Sequence, residues 1–352
     1  MRILHLLNHT RRLNGHVHAA IDLACAQAAL GHQVTIASEG GDFDGFLSAQ
    51  GIDVVRVSHE RKPLQLAKGL VELQRAVSTR KAEVVHAHMM TSAVLAWPIC
   101  QLARIPLVTT VHNAFEKSAV LMGLGTRVIA VSTAVGHSMK ERGIAQRKLR
   151  VVLNGTIGSA RVANKDRTPR PLAKPAVVFV GGMHPRKGLP DLVAAFELVH
   201  EQCPEAHLYL VGGGPMLDEY RTLVQSRRCA PAVTFFGPQD DPFPYLGGAD
   251  VFVLPSHADP APLVLSEARE AGCAVVATDV DGIPEMLEDG RAGVLVPPRD
   301  PPALANAVLA LVRDPARLND YRERSQLNIG RMRVERVARE TLDVYRAAVQ
   351  AQ

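Results

Sequence analysis

Short apolar runs rich in β-branched residues alternate with helical segments along nearly the whole of this chain, and that alternation restricts its fold more than any other feature. RILHLL, QVTIAS, DVVRV, EVVHAH, PLVTTVH, RVIAVS and RVVLN mark the first half, with helices expected around residues 16–30 and 62–80. AVVFVGG, HLYLVGG, AVTFFG, DVFVLP, AVVAT and GVLVPP mark the second. The runs are mostly apolar on both faces, as strands are when helices cover both sides of a parallel sheet. Each half therefore reads as a Rossmann-like α/β domain. A length of 352 residues agrees with two cores at roughly 150 residues per domain.

The stretch 156–175, TIGSARVANKDRTPRPLAKP, breaks the alternation with Gly, Pro, Ser and basic residues and no apolar period. The expected organisation is a first domain at 1–158, a linker at 159–175, a second domain at 176–333 and a final helix at 334–352 packing back on the first domain. After about residue 302 the chain is mainly helical, with Leu304, Val308, Leu311 and Val312, then Val334, Val337, Val344 and Tyr345, near helical spacing. Pro315 should interrupt the two runs.

Composition removes several classes of function. No apolar run approaches the roughly 20 residues of a membrane-spanning helix, and MRILHLLNHTRR reverses the order of a secretory signal. The five cysteines are scattered and form no C-x-x-C pair, which favours a reducing cytoplasm and argues against structural zinc. Residues 1–160 carry 18 Lys+Arg against 10 Asp+Glu, a balance of +8, whereas 161–352 carry 22 against 25, a balance of −3. A basic first half suits anionic phosphates. Aromatic residues are only 4% and are not interleaved with the basic ones, so nucleic acid is not an expected partner.

Open α/β sheets bind ligands at the carboxyl ends of their strands, so the site is expected in the cleft between the domains, on residues just after strands. Gly181-Gly182-Met183-His184-Pro185-Arg186-Lys187-Gly188 follows the first strand of the second domain and precedes a helix. Backbone N–H groups and two cations converge there, where a diphosphate fits; the same residues also suit a glycine turn with solvated cations. The turn is neither a Walker loop nor a G-x-G-x-x-G fingerprint. Val211-Gly212-Gly213-Gly214-Pro215 ends the next strand and reads most simply as a tight turn into a helix. Asp259 and Glu267 follow Leu254-Pro255-Ser256, eight positions apart. That spacing exceeds two helical turns, so Asp259 is expected on the loop broken by Pro260 and Pro262, and Glu267 on the helix. One carboxylate would then accept from a sugar hydroxyl and the other from a ribose diol, unless both are ordinary surface acids.

Three further features are noted. His86 and His88 lie on one side of a strand, but no third metal ligand is near in sequence. Asn14, Gly15 and His16 precede the first helix, where an N-cap and turn is an equally good reading. The segment 61–81 sets Leu66, Leu70, Leu73 and Val77 on one stripe with Lys62, Lys68, Arg75, Arg80 and Lys81 elsewhere. It suits a helix lying on an anionic membrane, and it equally suits a packing helix.

VGGMHPRKGLPDLVAAF, LVGGGP, VTFFG, ADVFVLPS, DPAPLVLSEA, IPEML and GVLVPP, in that order, resemble glycosyltransferase family 4. NGH, ALGHQVTIAS, VVHAH, TTVHN, VIAVS and VVLNG extend the resemblance to the first half. It implies the GT-B fold, two Rossmann-like domains facing across a cleft, with the acceptor on the first domain and the donor on the second. The implied activity is transfer of a sugar, with retention of configuration, from a UDP-, GDP- or ADP-sugar to a glycan or lipid-linked acceptor. No cofactor and no metal are expected. Lys187 corresponds to the diphosphate lysine, while Asp259 and Glu267 hold the two acidic positions of E-x7-E, toward donor sugar and ribose. Backbone N–H groups of Leu263 and Val264 would meet phosphate, with Gly15, Gly182, Arg186, Gly213 and Pro238 at the donor as well. His112 lies where the family turns a histidine toward the cleft, for the donor sugar or the acceptor, and a structural histidine fits there too.

The chain departs from the pattern at Gly182, where the family often has Arg, and at Asp259, one methylene shorter than Glu. Arg186 stands beside Lys187 as a substitute cation. Asn154-Gly155 is followed by Thr156 rather than the more usual Ile/Val-Asp. Asp279-Val280-Asp281 matches the D-x-D string of metal-dependent glycosyltransferases of another fold, yet it falls at a turn where family 4 typically has Gly and no metal. The family suggests glycan, polysaccharide, lipopolysaccharide or glycolipid assembly in the cytoplasm or at the inner face of the membrane. Two rivals remain, a GT-B nucleotide-sugar epimerase, which would need no acceptor, and a non-catalytic nucleotide-sugar binder, which would show no turnover.

Overall fold

The computed structural model describes residues 1–12, 14–60, 62–163 and 165–351. Arg61 of the basic segment, Asn164 of the expected linker and Gln352 of the final helical segment lie outside the described residues. Two compact units are present, Met1–Asn164 with Arg331–Gln352, and Lys165–Gly330. Among the described residues no helix is long and apolar enough to cross a membrane.

In the first unit, β1 (Arg2–Leu6), β2 (Gln33–Ser38), β3 (Asp53–Arg56), β4 (Val84–Ala87), β5 (Leu107–Val111), β6 (Arg127–Ala130) and β7 (Leu149–Val151) pair in the order β3-β2-β1-β4-β5-β6-β7. Every pairing is parallel. The first strand is therefore internal and the winding reverses between β1 and β4. Helix Gly15–Ala29 covers one face, its Val17 and Ile21 sharing a core with Leu7, Val34 and Ile36. Helix Val334–Val349 contributes Val337, Leu342 and Tyr345 to the core around Ile3, Val84, Val108 and Ile129. The returning chain passes so close at Gly155 that a Cβ there would stand 2.4 Å from the Met332 carbonyl oxygen. Asp22, buried in helix Gly15–Ala29, receives Arg161 Nε at 2.6 Å and Nη2 at 2.8 Å, with Thr156 and Ser159 hydroxyls donating to the same carboxylate. Such a buried pair is tolerated because both carboxylate oxygens are satisfied.

In the second unit, β8 (Ala176–Val180), β9 (His207–Val211), β10 (Val233–Gly237), β11 (Val251–Leu254), β12 (Ala274–Thr278) and β13 (Val294–Val296) pair in the order β10-β9-β8-β11-β12-β13, again all parallel. The reversal here lies between β8 and β11. Asp314 caps the helix that Pro315 begins, so the proline separates helices Pro301–Val312 and Pro315–Arg324 as its fixed φ and missing N–H require. Arg269 is fully buried in helix Leu263–Glu270 and donates to the carbonyls of Ser325 at 2.7 Å, Met286 at 2.5 Å and Leu327. It fastens the helix that carries Glu267.

The basic segment forms helix Pro63–Thr79, whose Gly69, Leu73, Ala76 and Val77 are buried against the unit. Leu64 and Val71, off that stripe, are 82% and 70% exposed. Of the expected stripe, Leu73 and Val77 are buried and Leu66 and Leu70 are half-buried, and a further apolar edge faces outward.

Candidate active site

The two loops that diverge at the β8/β11 reversal are locked together. Gly188 has φ +66°, and a Cβ there would lie 2.0 Å from the Pro255 carbonyl oxygen, so only glycine fits. His257 N–H donates to the Arg186 carbonyl at 2.7 Å, and the His257 ring meets Asp191 Oδ2 at 2.6 Å. This lock sets Lys187, after β8, beside Asp259, after β11: Nζ and Oδ2 are 2.5 Å apart and both residues are buried. Ser256 donates its hydroxyl to the same oxygen at 3.2 Å. The other oxygen, Oδ1, lies 3.7 Å from the Arg186 guanidinium, which also donates to the Ala258 carbonyl.

Asp259 sits on the loop and Glu267 on helix Leu263–Glu270, as the prolines dictate. Leu263 and Val264 are the first two residues of that helix, whose leading N–H groups have no preceding turn to bond. Glu267, four residues beyond Leu263, lies on the same face. On the other side of β8, Gly182, Gly213 and Pro238 adjoin one another. Met183 N–H donates to the Gly213 carbonyl at 2.8 Å, and a Cβ on Gly213 would touch Pro238 at 3.5 Å. A Cβ on Gly212, at φ +137°, would sit 2.0 Å from the Gly181 carbonyl oxygen, which is why two glycine turns meet backbone to backbone. The structure thus brings Lys187, Arg186 and Asp259 together, and Gly182 together with Gly213 and Pro238.

Asp281 takes a place that sequence reasoning missed. Its Oδ2 accepts the Asp259 N–H at 2.6 Å, and its backbone is left-handed at φ +47°. Burial pushes its carboxyl above the ordinary range, the Asp259 N–H bond opposes this, and the Asp259 charge adds to the rise. The available signal was a carboxylate at a turn position where glycine is typical.

In the first unit, Gly15 opens helix Gly15–Ala29 behind Asn14, whose side chain makes no capping bond. His16 and His112, both partly exposed, have ring centroids 6.2 Å apart. His88 and His112 are 5.4 Å apart, joined Nδ1 to Nε2 at 3.1 Å. His86 and His88 do have a third histidine nearby: His5, on adjacent β1, brings ring nitrogens of all three within 4.8 Å of one another. It was invisible in sequence because β1 and β4 are separated by two other strands along the chain. Each of the six ring nitrogens has a hydrogen-bond partner, namely Gln27, His88, Tyr345, Thr110, His5 and His112. Burial holds His5 down to about 4 and His112 to about 3, and it holds His86 and His88 well below the ordinary value.

Residues 13–156 match the family described as Glycosyltransferase Family 4, and residues 174–314 match Glycosyl transferases group 1. A glycogen synthase of Mycobacterium tuberculosis (strain CDC 1551 / Oshkosh) is 29% identical over 349 residues, covering 86% of this chain and 83% of that protein. Among solved structures, a glycosyltransferase from Rickettsia africae ESF-5 superposes with a TM-score of 0.84 at 19% identity, covering 99% of each chain. Anabaena Alr3699/HepE in complex with UDP-glucose superposes with a TM-score of 0.82 at 21% identity, covering 98% of this chain and 99% of that one.

The buried histidines make stability depend on pH. Their folded values lie below the ordinary 6.5, so the unfolded chain binds more protons as pH falls. The stabilisation is fully present above about 6.5 and is lost as pH falls toward the folded values of His5, His86 and His88. Urea unfolding should show a steep drop in unfolding free energy from about pH 6.5 to 5, and a level profile would contradict the assignment.

Proposed function

The chain belongs to the family 4 glycosyltransferases of GT-B fold, and from that premise we propose retaining transfer of a sugar from a nucleoside-diphosphate donor, held where β8 and β11 part, to a glycan or lipid-linked acceptor. The observation that carries this reading is the buried Lys187–Asp259 pair beside the start of helix Leu263–Glu270. A buried lysine needs an anion, and in the free protein Asp259 supplies it. A donor diphosphate would take over that lysine, with Arg186 and the N–H groups of Leu263 and Val264 as further partners. Negative charge grows on the diphosphate as the sugar departs, so these contacts strengthen toward the transition state.

Asp259, released from Lys187, is then an acceptor for a donor-sugar hydroxyl. Glu267 accepts from the ribose diol, and Gly182, Gly213 and Pro238 give the nucleoside a close backbone surface. In this reading the neutralising charges come from the protein itself and no metal is required. In the first unit, His112 offers a ring nitrogen to a sugar hydroxyl of the substrate. The complex of HepE with UDP-glucose supports a uridine donor as the first choice.

Isothermal titration with UDP, GDP, ADP and CMP tests the donor site. One diphosphate should bind wild type and bind Lys187→Ala about 10- to 100-fold more weakly, as expected for loss of a charge-assisted contact. The variant leaves Asp259 to Arg186 and Ser256, so its melting temperature is followed in parallel and titrations are run below both transitions. Equal binding by the two proteins would remove Lys187 from the donor site. Retention is read from the anomeric proton coupling of the product made from UDP-α-glucose, or from the α-linked sugar of whichever base binds. An α-linked product is expected, and a β-linked one would refute retention.

A further inference from the structure

His5, His88 and His112 lie in β1, just after β4 and just after β5, three neighbouring strands of the first sheet. Their rings stack in sequence, with centroids 5.2 and 5.4 Å apart and planes inclined at 25° and 23°. They form one hydrogen-bonded file: Gln27 Oε1 to His5 Nε2 at 2.8 Å, His5 Nδ1 to His88 Nε2 at 2.9 Å, and His88 Nδ1 to His112 Nε2 at 3.1 Å. Gln27, His5 and His88 are buried and His112, at the open end, is partly exposed.

A neutral imidazole has one N–H and one lone pair, so each ring that donates on one side must accept on the other. Burial keeps these rings neutral, with His5 near 4, His88 well below the ordinary value and His112 near 3. The direction of the file is therefore set at its closed end. Gln27 turns its carbonyl toward His5 and its amide nitrogen toward the Tyr345 hydroxyl, at 3.3 Å. The carbonyl can only accept, so His5 carries its proton on Nε2. His5 Nδ1 then accepts from His88 Nε2, and His88 Nδ1 accepts from His112 Nε2. Reversing a single ring would set two protons or two lone pairs face to face in a buried place.

We propose that Gln27, acting through His5 and His88 as positioning residues, fixes His112 in one tautomer, with Nε2 protonated and Nδ1 held as a hydrogen-bond acceptor for a substrate sugar hydroxyl. The sugar rests on the glycosyltransferase reading above, whereas the tautomer is a property of the free protein. A hydroxyl presented to Nδ1 meets a lone pair without reorganisation of the ring. The wrong tautomer would confront it with an N–H and admit only acceptors.

Long-range proton–nitrogen correlation spectra of the full chain labelled with 15N-histidine test this directly, with His112→Asn used for assignment. In wild type, His112 Nε2 should be pyrrole-like and Nδ1 pyridine-like. Gln27→Leu, which removes the acceptor that fixes the proton of His5 on Nε2, should turn His112 into a mixture of tautomers. With UDP-glucose as donor, the leucine variant should turn over several-fold more slowly than wild type. A wild-type His112 protonated on Nδ1, or a His112 spectrum unchanged in Gln27→Leu, would overturn the proposal. A tautomer that follows Gln27 in a protein that neither binds nor turns over UDP-glucose would uphold the file of histidines and count against the donor reading.

Discussion

All strands in each sheet run parallel, and the first strand of each lies inside its sheet rather than at an edge. That arrangement makes the connections wind one way on one side of β1 or β8 and the other way on the opposite side, so the loops leaving neighbouring strands part at one place in each unit. The proposed donor site of the second unit is built on that parting. Gly188 against Pro255, with His257 bonded to Arg186 and Asp191, draws the two loops back together just beyond the sheet. The result is a lysine and an aspartate facing each other in a buried place, at the start of a helix anchored by Arg269.

A lysine and a carboxylate are tolerated together in a buried place because each satisfies the other. Under the proposal, a donor diphosphate that reaches Lys187 replaces an existing partner instead of entering an empty site, and the displaced Asp259 becomes available to a sugar hydroxyl. In the proposed reading, donor binding and preparation of the acidic acceptor are thus one exchange. The shorter aspartate suits this role, since its carboxyl remains close to the loop backbone and is steadied there by Ser256 and by Asp281 on its own N–H.

Much of the architecture was legible in the sequence because parallel strands buried on both faces leave uninterrupted apolar runs, and because Pro315 and the prolines around residue 261 mark helix starts plainly. The loop position of Asp259 and the helical position of Glu267 followed from the same prolines. What was not legible depends on distant partners. His5 looks like one polar residue in an apolar strand until β4 lies beside it. Arg161 in the basic stretch after the first domain is half of a buried pair with Asp22. Arg269, in the acidic segment that resembles the family motif, reads as a surface residue but is buried against three carbonyls. Asp281 belongs in sequence to a D-x-D string at a turn, and only the folded loops show its carboxylate accepting the Asp259 N–H.

The central claim is that the pair formed by Lys187 and Asp259 is exchanged for a pair between Lys187 and the donor diphosphate. A crystal structure of the protein with bound UDP tests it most directly. The account predicts diphosphate oxygens within hydrogen-bonding distance of Lys187 Nζ and of the first N–H groups of helix Leu263–Glu270, with Asp259 turned away from the lysine. A diphosphate bound elsewhere, with Lys187 and Asp259 still paired, would contradict it.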